Sequence, residues 1–116
     1  MRRFLPILLL FLAILPGCRS PYALSPEQAE AYMKTAPALV IVDVRPSEYY
    51  EKAHITGALN LPLKELEKRM DEIPAGRPVL MHCQTGRSVR DAFALVRKNR
   101  PDLTEIYYID GTPSFK

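Results

Sequence analysis

Tryptophan is absent from the 116-residue chain, histidine and cysteine occur twice each, and glycine occurs five times. These shortages exclude several classes of protein. Two cysteines cannot make a multi-bridge disulfide scaffold, and two histidines with a single downstream thiol offer no ligand spacing for a metal cluster. No glycine-rich nucleotide loop is present, and no cofactor is expected. The charge excess is small, +3 with a sequence pI near 9.0, and no basic run or patch argues for nucleic-acid binding. What remains is 47% hydrophobic and 25% charged residues, the composition of one small globular domain with a real core.

The amino terminus separates from that domain. Arg2 and Arg3 precede the apolar stretch Phe4 to Leu15, which is shorter than the about 20 residues a membrane-spanning helix needs and suits the apolar region of a signal peptide. Leu15-Pro16-Gly17-Cys18 follows, and it resembles a bacterial lipobox. That resemblance implies removal of residues 1–17, acylation of Cys18 and export to a membrane of the cell envelope, facing the periplasm or another extracytoplasmic space. An ordinary signal peptide, or an uncut anchor, is the other reading. Loss of Arg2 and Arg3 lowers the net charge of +3 to about +1. With Cys18 acylated, Cys83 has no partner within the chain. A lone thiol in an oxidising compartment is either buried and inert or kept for its reactivity.

Residues 18–24 read as the lipidated tether and residues 25–116 as the domain. Ser25-Pro26-Glu27-Gln28 forms a helix start, with Ser25 as cap, Pro26 at the first position and Gln28 completing a capping box. The helix is expected to stop before Pro37. Residues 38–42 are a continuous apolar run of the kind buried on both faces of a parallel sheet. A short helix is expected over 46–52, residues 54–60 read as a turn leading into a short strand, and an amphipathic helix is expected over 63–73 carrying Leu63, Leu66, Met70 and Ile73. Residues 78–82 and 105–109 are two further strands, and the segment between them carries a helix with Val89, Ala92, Phe93 and Val96 on one face. Strands alternating with helices predict an α/β fold around a mostly parallel sheet. Gly57 and Gly111 read as turn residues.

The segment that carries chemistry is a strand ending at Cys83, a polar loop Gln84-Thr85-Gly86-Arg87-Ser88, and then a helix. Crevices in open α/β sheets form at the carboxyl ends of strands. A helix amino terminus presents unpaired N–H groups and favours an anion such as a thiolate. Arg87 adds charge, and Gly86 permits a tight cradle. The alternative is a thiol buried inertly at the end of a core strand. Phosphate-ester hydrolysis through a Cys cradle requires Arg six positions after the cysteine, where this chain has Val89; Arg87 and Arg90 both miss that place.

Three segments in order then resemble the rhodanese family. Val42-Asp43-Val44-Arg45-Pro46-Ser47-Glu48-Tyr49 is similar to its strand-end motif. His54-Ile55-Thr56-Gly57-Ala58-Leu59-Asn60-Leu61-Pro62 resembles its second signature. Cys83 to Ser88 resembles its six-residue catalytic loop. The resemblance implies a three-layer α/β/α fold, here with the closing C-terminal helix missing, and sulfur transfer through a persulfide on Cys83. It implies a small anionic sulfur donor such as thiosulfate and a thiol or cyanide acceptor. Gln84, Thr85, Gly86, Arg87 and Ser88 would bind substrate and Asp43 would support the loop. Arg45 would either line the mouth or serve as a structural ion-pair partner. His54 is expected to be a structural hydrogen-bonder at a turn, and His82 a buried or surface residue rather than a catalytic one. A missing closing helix would leave sheet surface bare, a possible homodimer face. A non-catalytic sulfur carrier or partner-binding module is the alternative function.

Overall fold

The computed structural model of the chain describes residues 20–114. The expected leader cleavage and acylation at Cys18 lie outside them. In chain order the elements are β1 (Ala23–Leu24), α1 (Pro26–Thr35), β2 (Val40–Asp43), α2 (Ser47–Lys52), β3 (Leu59–Asn60), α3 (Leu63–Arg69) continued by a 3-10 turn (Met70–Glu72), β4 (Val79–His82), α4 (Ser88–Asn99) and β5 (Ile106–Ile109). The five strands form one sheet in the order β1-β5-β4-β2-β3, with every pair parallel.

Local chemistry sets the element ends. Ser25 accepts from the Gln28 amide at 3.1 Å, and the Gln28 side chain accepts from the Ser25 amide at 2.8 Å, so two donors that a helix start leaves unsatisfied are paired reciprocally. The same helix ends at Thr35, two residues before Pro37, because the residue preceding a proline disfavours helical geometry. In α3 the helical hydrogen bonding tightens to the 3-10 form after Arg69, within the 63–73 segment expected as one helix, while Leu66, Met70 and Ile73 all stay buried.

Alternation along the central strands builds the three layers. Val79, Met81 and Cys83 face one side with Val40, Val42 and Val44, where Leu66 of α3 and Val89, Ala92, Phe93 and Val96 of α4 cover them. Leu80 and Ile109 face the other side and meet Ala29 of α1. Fully burying a side chain such as Val42 or Leu80 contributes about 1.5–3 kcal/mol. This is the α/β/α sandwich that the sequence predicts.

Two expectations change. Ala23 and Leu24, assigned to the tether, are an edge strand in register with Tyr108 and Ile109. The anchoring contact lies just before them, where Tyr22 packs on Phe93 at 5.4 Å between ring centroids and the Arg97 guanidinium sits 4.3 Å over the Tyr22 ring. The bare sheet face is also not found. No helix follows β5 among the described residues, yet Ile106, Tyr108 and Ile109 are buried, because α4 and α1 already cover the two faces. Tyr49, 51% exposed, is the exposed large hydrophobic among the described residues, so the apolar face that suggested a homodimer is absent there.

Candidate functional site

The sheet order reverses between β2 and β4. After β2 the chain moves to β3 on one side, and after β4 it moves to β5 on the other. Connections leaving in opposite directions open a crevice at the carboxyl ends of those two strands. Asp43-Val44-Arg45 leaves β2 at that point, and Cys83 leaves β4.

Cys83 is 1% exposed, yet its sulfur meets backbone amides as well as the apolar core. Its Sγ accepts from the amide of Gly86 at 3.1 Å and from the amide of Val89 at 3.3 Å. Val89 is the second residue of α4, and Arg87, which stands at the cap position, makes no side-chain capping bond. The sulfur therefore takes the place of a capping oxygen at the start of a twelve-residue helix. Two amide donors and the positive end of the helix dipole converge on it.

The loop is shaped by backbone packing. Gly86 has φ +97°, and a β-carbon there would lie 2.5 Å from the Gly111 nitrogen. Gly111 in turn has φ +145° and would place a β-carbon 2.9 Å from Pro26 Cγ. The loop thus stacks on the backbone of the C-terminal segment, which in turn rests on the Pro26 ring at the start of α1, and a side chain at Gly86 would push the donor away from Sγ. Gln84, Thr85 and Arg87 are exposed around the mouth and Ser88 is half-buried. Arg87 has no ion-pair partner among the described residues.

Beneath the loop, Asp43 and Arg45 are both buried. Arg45 donates from Nε to both Asp43 oxygens at 3.0 and 3.1 Å and from Nη2 to Oδ2 at 2.7 Å. It also donates from Nη2 to the Ala53 carbonyl at 2.8 Å and from Nη1 to Gln84 Oε1 at 3.3 Å. Of the two roles open to Arg45, the structure shows the ion-pair partner, fork against carboxylate, with one edge touching the loop. Asp43 additionally accepts from the Arg45 amide at 3.0 Å, which ties the segment leaving β2.

Asn60 is a contributor that the residue pattern did not single out. Its Nδ2 donates to the carbonyls of Asp43 and Arg45, 3.0 Å each, and clamps the segment leaving β2. Val89 was likewise missed as a donor, since its backbone does the work and its side chain reads only as core. His54 is the turn residue anticipated: its Nδ1 lies 2.8 Å from the Tyr50 carbonyl and its ring stacks on Tyr50 at 3.7 Å. His82 is fully buried, in register with Asp43. Its Nδ1 lies 3.2 Å from the Cys83 carbonyl, which can only accept, so Nδ1 carries the hydrogen. Nε2 faces Asp43 Oδ2 at 3.7 Å.

Residues 25–112 match the family described as Rhodanese-like domain. The chain belongs to that family. Among curated relatives, the putative sulfur carrier protein YrkF of Bacillus subtilis is 41% identical over 61 residues, 53% of this chain and 33% of that one. The thiosulfate sulfurtransferase GlpE of Coxiella burnetii is 38% identical over 50 residues, 43% of this chain and 47% of that one. The rhodanese-like chain thus spans about half or less of the length of the curated relatives it matches. Among solved structures, the rhodanese-like domain of the Alr3790 protein from Anabaena sp. superimposes with a TM-score of 0.67 at 19% identity, covering 80% of this chain and 70% of that one, which shows the shared fold.

Burial holds His82 below its ordinary value of 6.5, against a smaller upward pull from Asp43. The unfolded chain therefore takes up this proton first on acidification, and stability contributed by the neutral ring is present above about 6.5 and lost as pH falls below it. Urea midpoints of His82→Asn, which keeps a donor near the Cys83 carbonyl, should decline less than wild type between neutral pH and about pH 5. Parallel declines in the two proteins would contradict this account.

Proposed function

We propose that this rhodanese-like protein is a sulfurtransferase that passes a sulfane sulfur from a small anionic donor such as thiosulfate to a thiol or cyanide through a persulfide on Cys83. The observation that carries the reading is the convergence of the Gly86 and Val89 amides on Cys83 Sγ. Relatives named thiosulfate sulfurtransferase and putative sulfur carrier support it at the level of the family.

The Cys83 thiolate attacks the outer sulfur of thiosulfate. A new S–S bond forms, the old one breaks, and sulfite departs with the electron pair. The terminal persulfide sulfur is anionic, and the N–H groups of the Gln84 to Ser88 loop and of Val89 are the donors available to it. Cyanide or a thiolate then attacks that outer sulfur, and the Cys83 thiolate leaves with the electron pair of the broken bond. Arg87, exposed beside the mouth, attracts the anionic donor. A second reading, a carrier that loads sulfur without efficient turnover, draws on the near-complete cover over Cys83, which is 1% exposed.

Thiosulfate and cyanide with the purified soluble domain should yield thiocyanate, and Cys83→Ser should abolish it. A carrier would instead gain one sulfur atom in mass without sustained thiocyanate production. Neither thiocyanate nor a sulfur adduct on Cys83 would refute both readings.

We infer in addition that residues 1–17 are removed and Cys18 is acylated, so that the domain works at a membrane outside the cytoplasm. Arg2-Arg3, the apolar run and Leu15-Pro16-Gly17-Cys18 support this. No helix among the described residues is long and apolar enough to cross a membrane. Intact mass of the protein isolated from membranes should correspond to a chain beginning at Cys18 with acyl groups attached. A chain retaining Met1, or starting at Cys18 without acyl mass, would contradict the inference.

A further inference from the structure

The side chain of Gln84 is exposed at the mouth, yet one end of it is held. Its Oε1 lies 3.3 Å from Arg45 Nη1. Arg45 is itself buried, 4% exposed, and hydrogen-bonded to Asp43 and the Ala53 carbonyl. A guanidinium donates hydrogen bonds and cannot accept them, so the carboxamide has only one orientation against it: oxygen toward Arg45, NH2 away. An exposed glutamine otherwise samples many rotamers, and ordering it at the moment of binding costs free energy. Here that ordering is supplied in advance by a buried ion pair.

We propose that Gln84 is a specificity-determining residue whose NH2 group, oriented by Arg45 as a positioning residue, donates to the oxyanion part of the sulfur donor. The proposal deepens the sulfurtransferase reading and rests on it. Cys83 precedes Gln84 directly and Arg87 lies three positions beyond, so an incoming donor meets a nucleophilic sulfur, a neutral carboxamide donor and a cation on one short loop. Thiosulfate has both chemical ends this arrangement requires, an outer sulfur for Cys83 and an oxygen-bearing end for the two side-chain donors. The acceptor step involves no such oxyanion, so Gln84 acts in donor capture and not in removal of the sulfur.

Gln84→Glu keeps an oxygen for Arg45 but loses the NH2 donors and adds negative charge at the mouth. Gln84→Met loses the donors without adding charge. At saturating cyanide, the KM for thiosulfate should rise roughly tenfold in Gln84→Met, the loss of about one hydrogen bond to a charged group, and further in Gln84→Glu. The kcat should change little, and urea midpoints should stay at the wild-type value, separating this role from a structural one. An unchanged KM in both variants, or a loss of kcat at constant KM, would overturn the assignment of Gln84 while wild-type activity still upheld the sulfurtransferase reading. Absence of both thiocyanate and persulfide in the wild-type protein would remove that reading and this inference with it.

Discussion

A helix that begins in a protein interior must find partners for its first amides, and in this chain the partner is a sulfur atom. The amide of Val89 at the start of α4 and the amide of Gly86 in the loop before it both end on Cys83 Sγ. A neutral thiol is a weak acceptor. An anionic sulfur is a stronger one, since hydrogen bonds to ionised groups are roughly twice as strong as neutral ones. On the proposed function, the donors that complete the helix start are also the ones available to the sulfur of Cys83 during transfer. Structure and chemistry depend on one set of donors.

The rest of the fold keeps that set in place. Strand alternation sends Cys83 toward α4, along with Met81 and Val79. It sends His82 to the opposite side, beside Asp43. Gly86 rests on Gly111, which rests on Pro26, so the height of the loop is set by the backbone of the C-terminal segment and the first residue of α1. On the other flank, Asn60 and the Asp43–Arg45 pair hold the segment leaving β2. A buried ion pair of this kind is weak evidence for stability, because desolvation offsets much of the attraction. Its consequence is geometric: it places a fixed guanidinium edge against Gln84.

Much of this was legible in the residues alone. Apolar runs ending at Asp43 and Cys83 identify central strands of a parallel sheet, and the Ser25–Gln28 capping box marks the start of α1 because the side chains that satisfy a helix terminus are themselves a local code. The family match over residues 25–112 spans all three of the segments that carry the resemblance. What escaped was carried by backbone or by distant partners. Val89 contributes through its amide, which every residue but proline possesses. Ala23–Leu24 is too short to show a period, and only pairing with β5 makes it a strand. Arg45 lining a mouth and Arg45 pairing with Asp43 look alike in sequence, and three-dimensional proximity decides between them. The sheet face beside β5 looked bare for want of a following helix, whereas α1, earlier in the chain, already lies over it.

The central claim is that the Gly86 and Val89 amides hold the sulfur carried by Cys83. Amide resonances of the isotopically labelled protein, followed during addition of thiosulfate, test it most directly. The account predicts that loading moves the Gly86 and Val89 amides more than those of residues outside the loop, and that cyanide returns both to their starting positions. Sulfur uptake that leaves these two amides unmoved would contradict it.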